Sequence, residues 1–548
     1  MRRWSKGFGA AAAGAAGIGM LAIVAGVSLA ASSTGAGAGD VSTSCLMSEN
    51  CGGTMAWPTG QGTVTSGRYS PLSQINTANV SHLKVAWMVK TPIIGSETYP
   101  VVVNGVAYVT TAFAYVYAIN AVTGKVLWTW KPPAEVTGGL VAAAHGFPNR
   151  GVAVGEGNVY VLTPNAKLVA INAATGAMKW YKSLGNPKWL SESVDPLYYQ
   201  GVLYLGSAGS ESGARGFEEA RNATTGALIW QHFTVPAAGA PGSWLYGHHG
   251  GGDIWGTPTL DPQMGLMFIG VGNPSPDLYA GNRPGPNLYT DSIMALSMKT
   301  GKMVWYYQTT PHDMWDYDCS TTPVVFPTSY GTAVGAPCKN GYWYELDAKT
   351  GQPITAPEAF VKEDHTMPPP KPPGVWNWPG ATGGSEWSPV AYNPTTKYAY
   401  VEGINSPNQE WAKSIPYNGG LDMGTDFKAP PPNSKLINGT LTAFDVNSGT
   451  MVWQDATRVG LAGGTTTTAG NLLFVGMSGE GRFNAYNAAN GKLLWSYNTH
   501  DRIDAPAAVY AVNGKEYVLI SPGGTSLTAP NLGGMPAGDA EFIAFTLP

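Results

Sequence analysis

Short runs of alternating apolar and polar residues recur along the chain, each answered by a second run across a turn. The segments YAINAVTGKVLW (117–128), VAINAATGAMKW (169–180), EARNATTGALIW (219–230), MALSMKTGKMVW (294–305), YELDAKTGQPIT (344–355), TAFDVNSGTMVW (442–453) and NAYNAANGKLLW (484–495) share this pattern. Alternation with period two predicts strands. The Asn/Asp-x-x-Thr-Gly step predicts a tight turn in which Gly supplies positive φ. Preceding runs such as 101–111 and 472–477 predict two more strands per unit. Most units start 42 to 52 residues apart; an interval of 75 predicts an insertion, and one of 98 predicts a degenerate extra unit around AYNPTTKYAYV (391–401). Four strands per unit of this length make a propeller blade. The prediction is an all-β, eight-bladed β-propeller over 57–548, with seven blades as the other reading. The recurrent Trp (Trp128, Trp180, Trp230, Trp305, Trp453, Trp495) is expected to pack between neighbouring blades. EFIAFTLP (541–548) is expected to close the ring beside an early strand such as LKVAW (83–87).

The ends of the chain and its composition narrow the class. Residues 1–31 read as a signal peptide: Arg2, Arg3 and Lys6 precede an apolar run, and Ser28-Leu29-Ala30 fits a cleavage site. An uncleaved membrane anchor is the other reading. Residues 32–56 read as a linker. The expected location is periplasmic or extracellular. Charged residues are 12% of the chain, about half of ordinary usage, while 60 residues are aromatic; that excludes a disordered chain. A net charge of −4 with scattered Lys and Arg gives no footprint for nucleic acid. Four cysteines in an exported chain predict two disulfides, with Cys45–Cys51 and Cys319–Cys338 the short-loop pairings. Their spacing matches no zinc site, and no C-x-x-C-H attaches a haem.

The repeat, together with GGGDIWGTP (250–258), GVGNPSPD (270–277) and TPHDMWDYD (310–318), resembles the quinoprotein alcohol dehydrogenases, which use pyrroloquinoline quinone (PQQ). The resemblance runs from Trp57 nearly to the end. It implies that Trp255 is the floor on which the flat quinone stacks and that Asp316 is the catalytic base. GSESGARG (209–216) implies Glu211 as a metal ligand, with Asn273 beside it. NRGVAV (149–154) implies Arg150 against a cofactor carboxylate, and Glu97, Thr163 and Lys339 fall on further cofactor positions. Asp318, two residues after the base, resembles the lanthanide-dependent branch. Glu211, Asn273 and Asp318 are hard oxygen donors suited to a lanthanide or calcium and not to zinc or copper. Three positions depart from the family. Its adjacent-cysteine pair would fall at Ala144-His145, its site Asn aligns with Glu386, and its third repeat has EARN (219–222) for an apolar-Asp pattern.

Blander roles weigh against each residue. Asp316 and Asp318 could cap a blade edge, Trp255 could be core, Glu211 could be a solvated turn residue, and His145, His248, His249 and His312 could simply be packed. Taken together, the family order favours a PQQ- and metal-dependent dehydrogenase acting on a small-molecule alcohol. Electrons would pass to an external acceptor such as a cytochrome; a homodimer is left open. The alternative is a propeller hydrolase of the tetrathionate hydrolase type in an acidophile, which the low charge count and the missing cysteine pair favour. The third reading is a cofactor-free propeller scaffold.

Overall fold

In the computed structural model, residues 37–51, 54–137, 148–245, 250–414, 416, 423–425, 427–431, 434–524 and 532–548 are described. The expected signal peptide, Ala144-His145, His248 and His249 lie outside them. The chain divides into units 1–35 and 36–548, and the second holds every described residue. Among those residues no helix is long and apolar enough to cross a membrane. The segment expected as a linker carries structure of its own: a helix, Thr43–Ser48, and the paired strands Asn50–Cys51 and Thr54–Met55, stapled by the Cys45–Cys51 disulfide.

The first repeat shows how sequence becomes sheet. Strands Val101–Val103, Val106–Thr110, Val116–Asn120 and Val126–Trp130 pair antiparallel in chain order. The three inner strands are almost wholly buried, so they read as apolar runs, whereas the outermost alternates and shows one face to solvent. Asn120 Oδ1 accepts the backbone N–H groups of Val122 and Thr123, at 3.1 and 2.9 Å, and fixes the turn before Gly124. Among the described residues eight sheets have four or five strands. Seven carry one of the sequence repeats each.

The eighth joins Ala508–Val512, Lys515–Ile520 and Asp539–Thr546 to Lys84–Ile94, so the last strand pairs with an early one as expected. The interval of 98 residues does not hold an extra unit. Ala391–Asn393 and Tyr398–Asn405 are the first two strands of the sheet whose outer pair, Asn438–Asp445 and Thr450–Thr457, carries the 442–453 repeat. An excursion after Asn405 separates the two halves. Two of its strands, Asn408–Glu410 and Phe427–Lys428, join the earlier strand Val375–Asn377 in a small sheet.

Tryptophan joins sheet to sheet. Trp128 lies against Gly176 of the next repeat, and its Nε1 donates to Ala173 O at 2.9 Å. Trp87, Trp230 and Trp305 repeat the contact, donating to Ala121, Met298 and Ala348 O at 3.0, 3.0 and 3.1 Å. The fifth repeat has no Trp at this place, and Thr355 lies against Gly449 instead. Trp495 packs edge-on against Phe545 of the closing sheet, with ring centres 5.3 Å apart. Each sheet thereby buries a face it cannot bury alone, which is how a propeller forms a continuous core from repeats.

Candidate active site

Strand ends and the loops after them enclose one cavity of about 350 Å³. Its wall includes Glu97, Arg150, Glu192, Glu211, Asp253, Trp255, Asp277, Asp316, Asp318, Lys339, Glu386 and Trp387. Seven of the nine residues singled out from sequence therefore meet there. The other two stand behind the wall. Thr163 Oγ1 is buried and donates to Asn165 Oδ1 at 2.7 Å, while its neighbour Pro164 faces the cavity. Asn273 donates its backbone N–H to Asp318 Oδ1 at 2.7 Å, and its buried Oδ1 has no hydrogen-bond partner.

On one side Arg150 is held at both of its terminal nitrogens. Its Nη2 pairs with Glu97 Oε2 at 2.9 Å, and its Nη1 donates to Ser193 Oγ and Trp255 O at 3.1 and 3.2 Å. The guanidinium lies 5.3 Å from the Trp255 ring centre and 5.0 Å from that of Trp387. Its buried Nε is left without an acceptor.

On the other side Lys339 gathers three carboxylates. Its Nζ lies 3.0 Å from Asp316 Oδ1, 3.1 Å from Asp318 Oδ2 and 3.9 Å from Glu386 Oε1. The Cys319–Cys338 disulfide ties together the two segments that carry these groups, and Lys339 N donates to Asp318 O at 2.9 Å. Asp316 sits in the left-handed region, φ 65°, which costs a non-glycine residue about 1–2 kcal/mol. Strain of this kind concentrates where function needs a side chain aimed.

Burial sets the protonation balance. It pushes the Asp316 carboxyl well above the ordinary range; Lys339 opposes the rise, and Asp318 and Glu386 add to it. Burial also raises Asp277, helped by Glu211, Asp316 and Asp318. Glu386 is pushed up to about 7 by burial, against the pull of Lys339. Lys339 itself is raised, because Asp316, Glu386 and Asp318 outweigh the burial that would lower it. Among the described residues the wall carries eight carboxyl groups and two basic side chains. That imbalance invites a multivalent cation. Among the described residues no group of three His, Cys, Asp or Glu side chains is placed to hold a metal ion by itself.

Sequence reading missed Glu192, Asp253 and Asp277. Asp277 ends GVGNPSPD, where the eye goes to Asn273. Glu192 lies in SESVDP, which belongs to no motif.

Residues 57–368 match the family described as glucose/ethanol/alcohol dehydrogenase, β-propeller domain, and residues 438–531 match outer membrane protein assembly factor BamB. The quinohemoprotein alcohol dehydrogenase of Comamonas testosteroni is 34% identical over 86% of this chain and 73% of its own length. The dehydrogenase subunit of the quinone alcohol dehydrogenase of Gluconobacter oxydans is 33% identical over 88% of this chain and 72% of its own. Among solved structures, quinohemoprotein alcohol dehydrogenase ADHIIG of Pseudomonas putida superposes with a TM-score of 0.83 at 29% identity, over 93% of this chain and 82% of that one. A europium-containing methanol dehydrogenase shares the fold, with a TM-score of 0.80 at 24% identity over 90% of this chain and 98% of that one.

Proposed function

This chain belongs to the PQQ-dependent (quinoprotein) alcohol dehydrogenase family, and we propose that its cavity oxidises a small alcohol with Asp316 as the base. The observation that carries the reading is the convergence of Asp316, Asp318, Lys339, Arg150 and Trp255 on one cavity. These residues fit a flat, multiply anionic cofactor and a hard cation. Trp255 offers an aromatic face. Arg150 keeps a buried donor without an acceptor, and Asn273 keeps a buried acceptor without a donor.

Glu97, Arg150, Trp255 and Lys339 would hold PQQ, with Thr163 supporting the wall from behind; Glu211, Asn273 and Asp318 would hold the cation. The cation is a lanthanide or calcium, and the carboxylate at Asp318 favours the trivalent ion by charge. PQQ bound there would supply a hydride acceptor, and the cation would supply Lewis acidity to it.

The chain's own residues handle the proton. Asp316 takes it from the alcohol hydroxyl. Lys339, 3.0 Å away, stabilises the Asp316 carboxylate that must be ionised to do so. The buried wall keeps water from the site, which strengthens each of these interactions. Electrons then leave to an acceptor such as a cytochrome. We read the eight sheets as eight blades, because contacts of the Trp128–Gly176 kind link successive sheets round to Trp87 and Gly124. The N-terminal 31 residues we read as an export signal.

The test is reconstitution with PQQ and either calcium or a light lanthanide, followed by dye reduction with alcohol. Activity strictly dependent on PQQ is expected. Asp316→Asn should keep the cofactor bound and lose about 100-fold in rate, the scale of a lost general base. Metal-loaded protein that binds no PQQ yet cleaves tetrathionate in acid would establish the hydrolase instead.

A further inference from the structure

Glu192 lies on the cavity wall, 1% exposed, and neither of its carboxyl oxygens has a hydrogen-bond partner. The charged groups that face it are Glu218, Glu219 and Arg221, on strand Phe217–Asn222, and Asp253. Arg221 is already committed, to Glu219 Oε2 at 2.5 Å and to Gly226 O at 3.0 Å. A buried carboxylate without donor or cation is too costly to keep ionised, so the group holds its proton. Burial indeed raises its pKa well above the ordinary value, with Glu219, Asp253 and Glu218 adding to the rise. A carboxylic acid then presents an O–H donor to the cavity, and an anionic acceptor satisfies such a donor best. The next residue, Ser193, accepts from both the backbone N–H and the Nη1 of Arg150. Glu192 and the Arg150 guanidinium therefore serve the same part of the wall.

We propose that Glu192 is a cofactor-binding residue that acts as a neutral acid, donating its O–H to a carboxylate of PQQ. This rests on the PQQ reading of the cavity. It also accounts for how a wall with two basic side chains accepts a tricarboxylate: one of its acids serves as a donor.

The test is equilibrium binding of PQQ to calcium-loaded protein, read by quenching of tryptophan fluorescence, which needs no turnover. Glu192→Gln keeps a neutral donor of the same shape, whereas Glu192→Met fills the space without one. At pH 5 the Gln variant should bind within about threefold of wild type, and the Met variant at least about tenfold more weakly, the scale of one lost charge-assisted hydrogen bond. Near-ultraviolet circular dichroism checks that both variants fold. Glu192→Met binding as tightly as wild type, or Glu192→Gln binding tenfold more weakly at pH 5, would each overturn the proposal. Absence of PQQ binding to wild type at every pH would instead overturn the cofactor reading itself, and this inference with it.

Discussion

The contact between Trp128 and Gly176 can be weighed against backbone strain, because the fold contains its own control. Gly176 and Gly105 share a φ of 74°. A Cβ at Gly105 would meet nothing within 4 Å, whereas one at Gly176 would lie 2.8 Å from Trp128 Cδ2 and 2.9 Å from Cε3. Alanine at either position costs about 1–2 kcal/mol for the left-handed backbone. It recovers about 0.4–1 kcal/mol from the less flexible unfolded chain. Gly105→Ala should therefore cost about 1 kcal/mol or less. Gly176→Ala adds an overlap with a ring that cannot retreat, since its Nε1 is bound to Ala173 O at 2.9 Å. Overpacking of this kind costs about 1–3 kcal/mol more. Thermal unfolding followed by far-ultraviolet circular dichroism should show a midpoint about 1–3 °C lower for Gly176→Ala than for Gly105→Ala. Equal midpoints would mean that the indole yields freely, and that the Trp–Gly contact is not what locks neighbouring sheets.

Three further outcomes are expected. Asp318→Ala should weaken lanthanide binding far more than calcium binding in metal titrations, and equal losses would remove the case for a trivalent ion. Breaking the Cys319–Cys338 bridge by Cys319→Ser should lower stability by about 3 kcal/mol, given a separation of 19 residues, as read from denaturant midpoints. Stability should fall as pH rises from about 5 to 8. Burial lifts Glu345, Glu402 and Glu516 to about 7 and Glu410 to about 8, so the unfolded chain, with carboxyls near about 4.3, releases these protons first. Glu402→Gln should shrink the fall, and a melting temperature that rises over this range would contradict the assignment.

Much of this architecture is legible in the repeat itself. The Gly of each turn and the Trp of the strand after it are the two halves of one contact, so their recurrence announces packed blades. The closing pair between 541–548 and the strand at Trp87 follows from the same logic. What misleads is distance along the chain. The halves of the sixth repeat's sheet, Ala391–Asn405 and Asn438–Thr457, are separated by an excursion, and alternation alone does not say that they pair. At the site, residues set in motifs (Trp255, Asp316, Asp318) converge as their order implies. Glu192 was illegible because its role comes from what surrounds it: a lone Glu in a Ser-rich loop reads as solvated until the strand of Glu218 and Glu219 is seen to bury it. Thr163 shows the converse, since a motif position can serve the wall from behind.

The pairing of Asp539–Thr546 with Lys84–Ile94 also sets a timetable. While the chain is being made, the strand at Trp87 emerges early and waits with an open edge. Its partner, Asp539–Thr546, follows only after the strands of every other described sheet. Gly124 can settle against Trp87 only when that strand is held, so the first sheets stay unlocked until it arrives. A chain truncated before Asp539 would keep seven sheets and still carry an unsatisfied edge, exposed to proteases and to other unfinished chains.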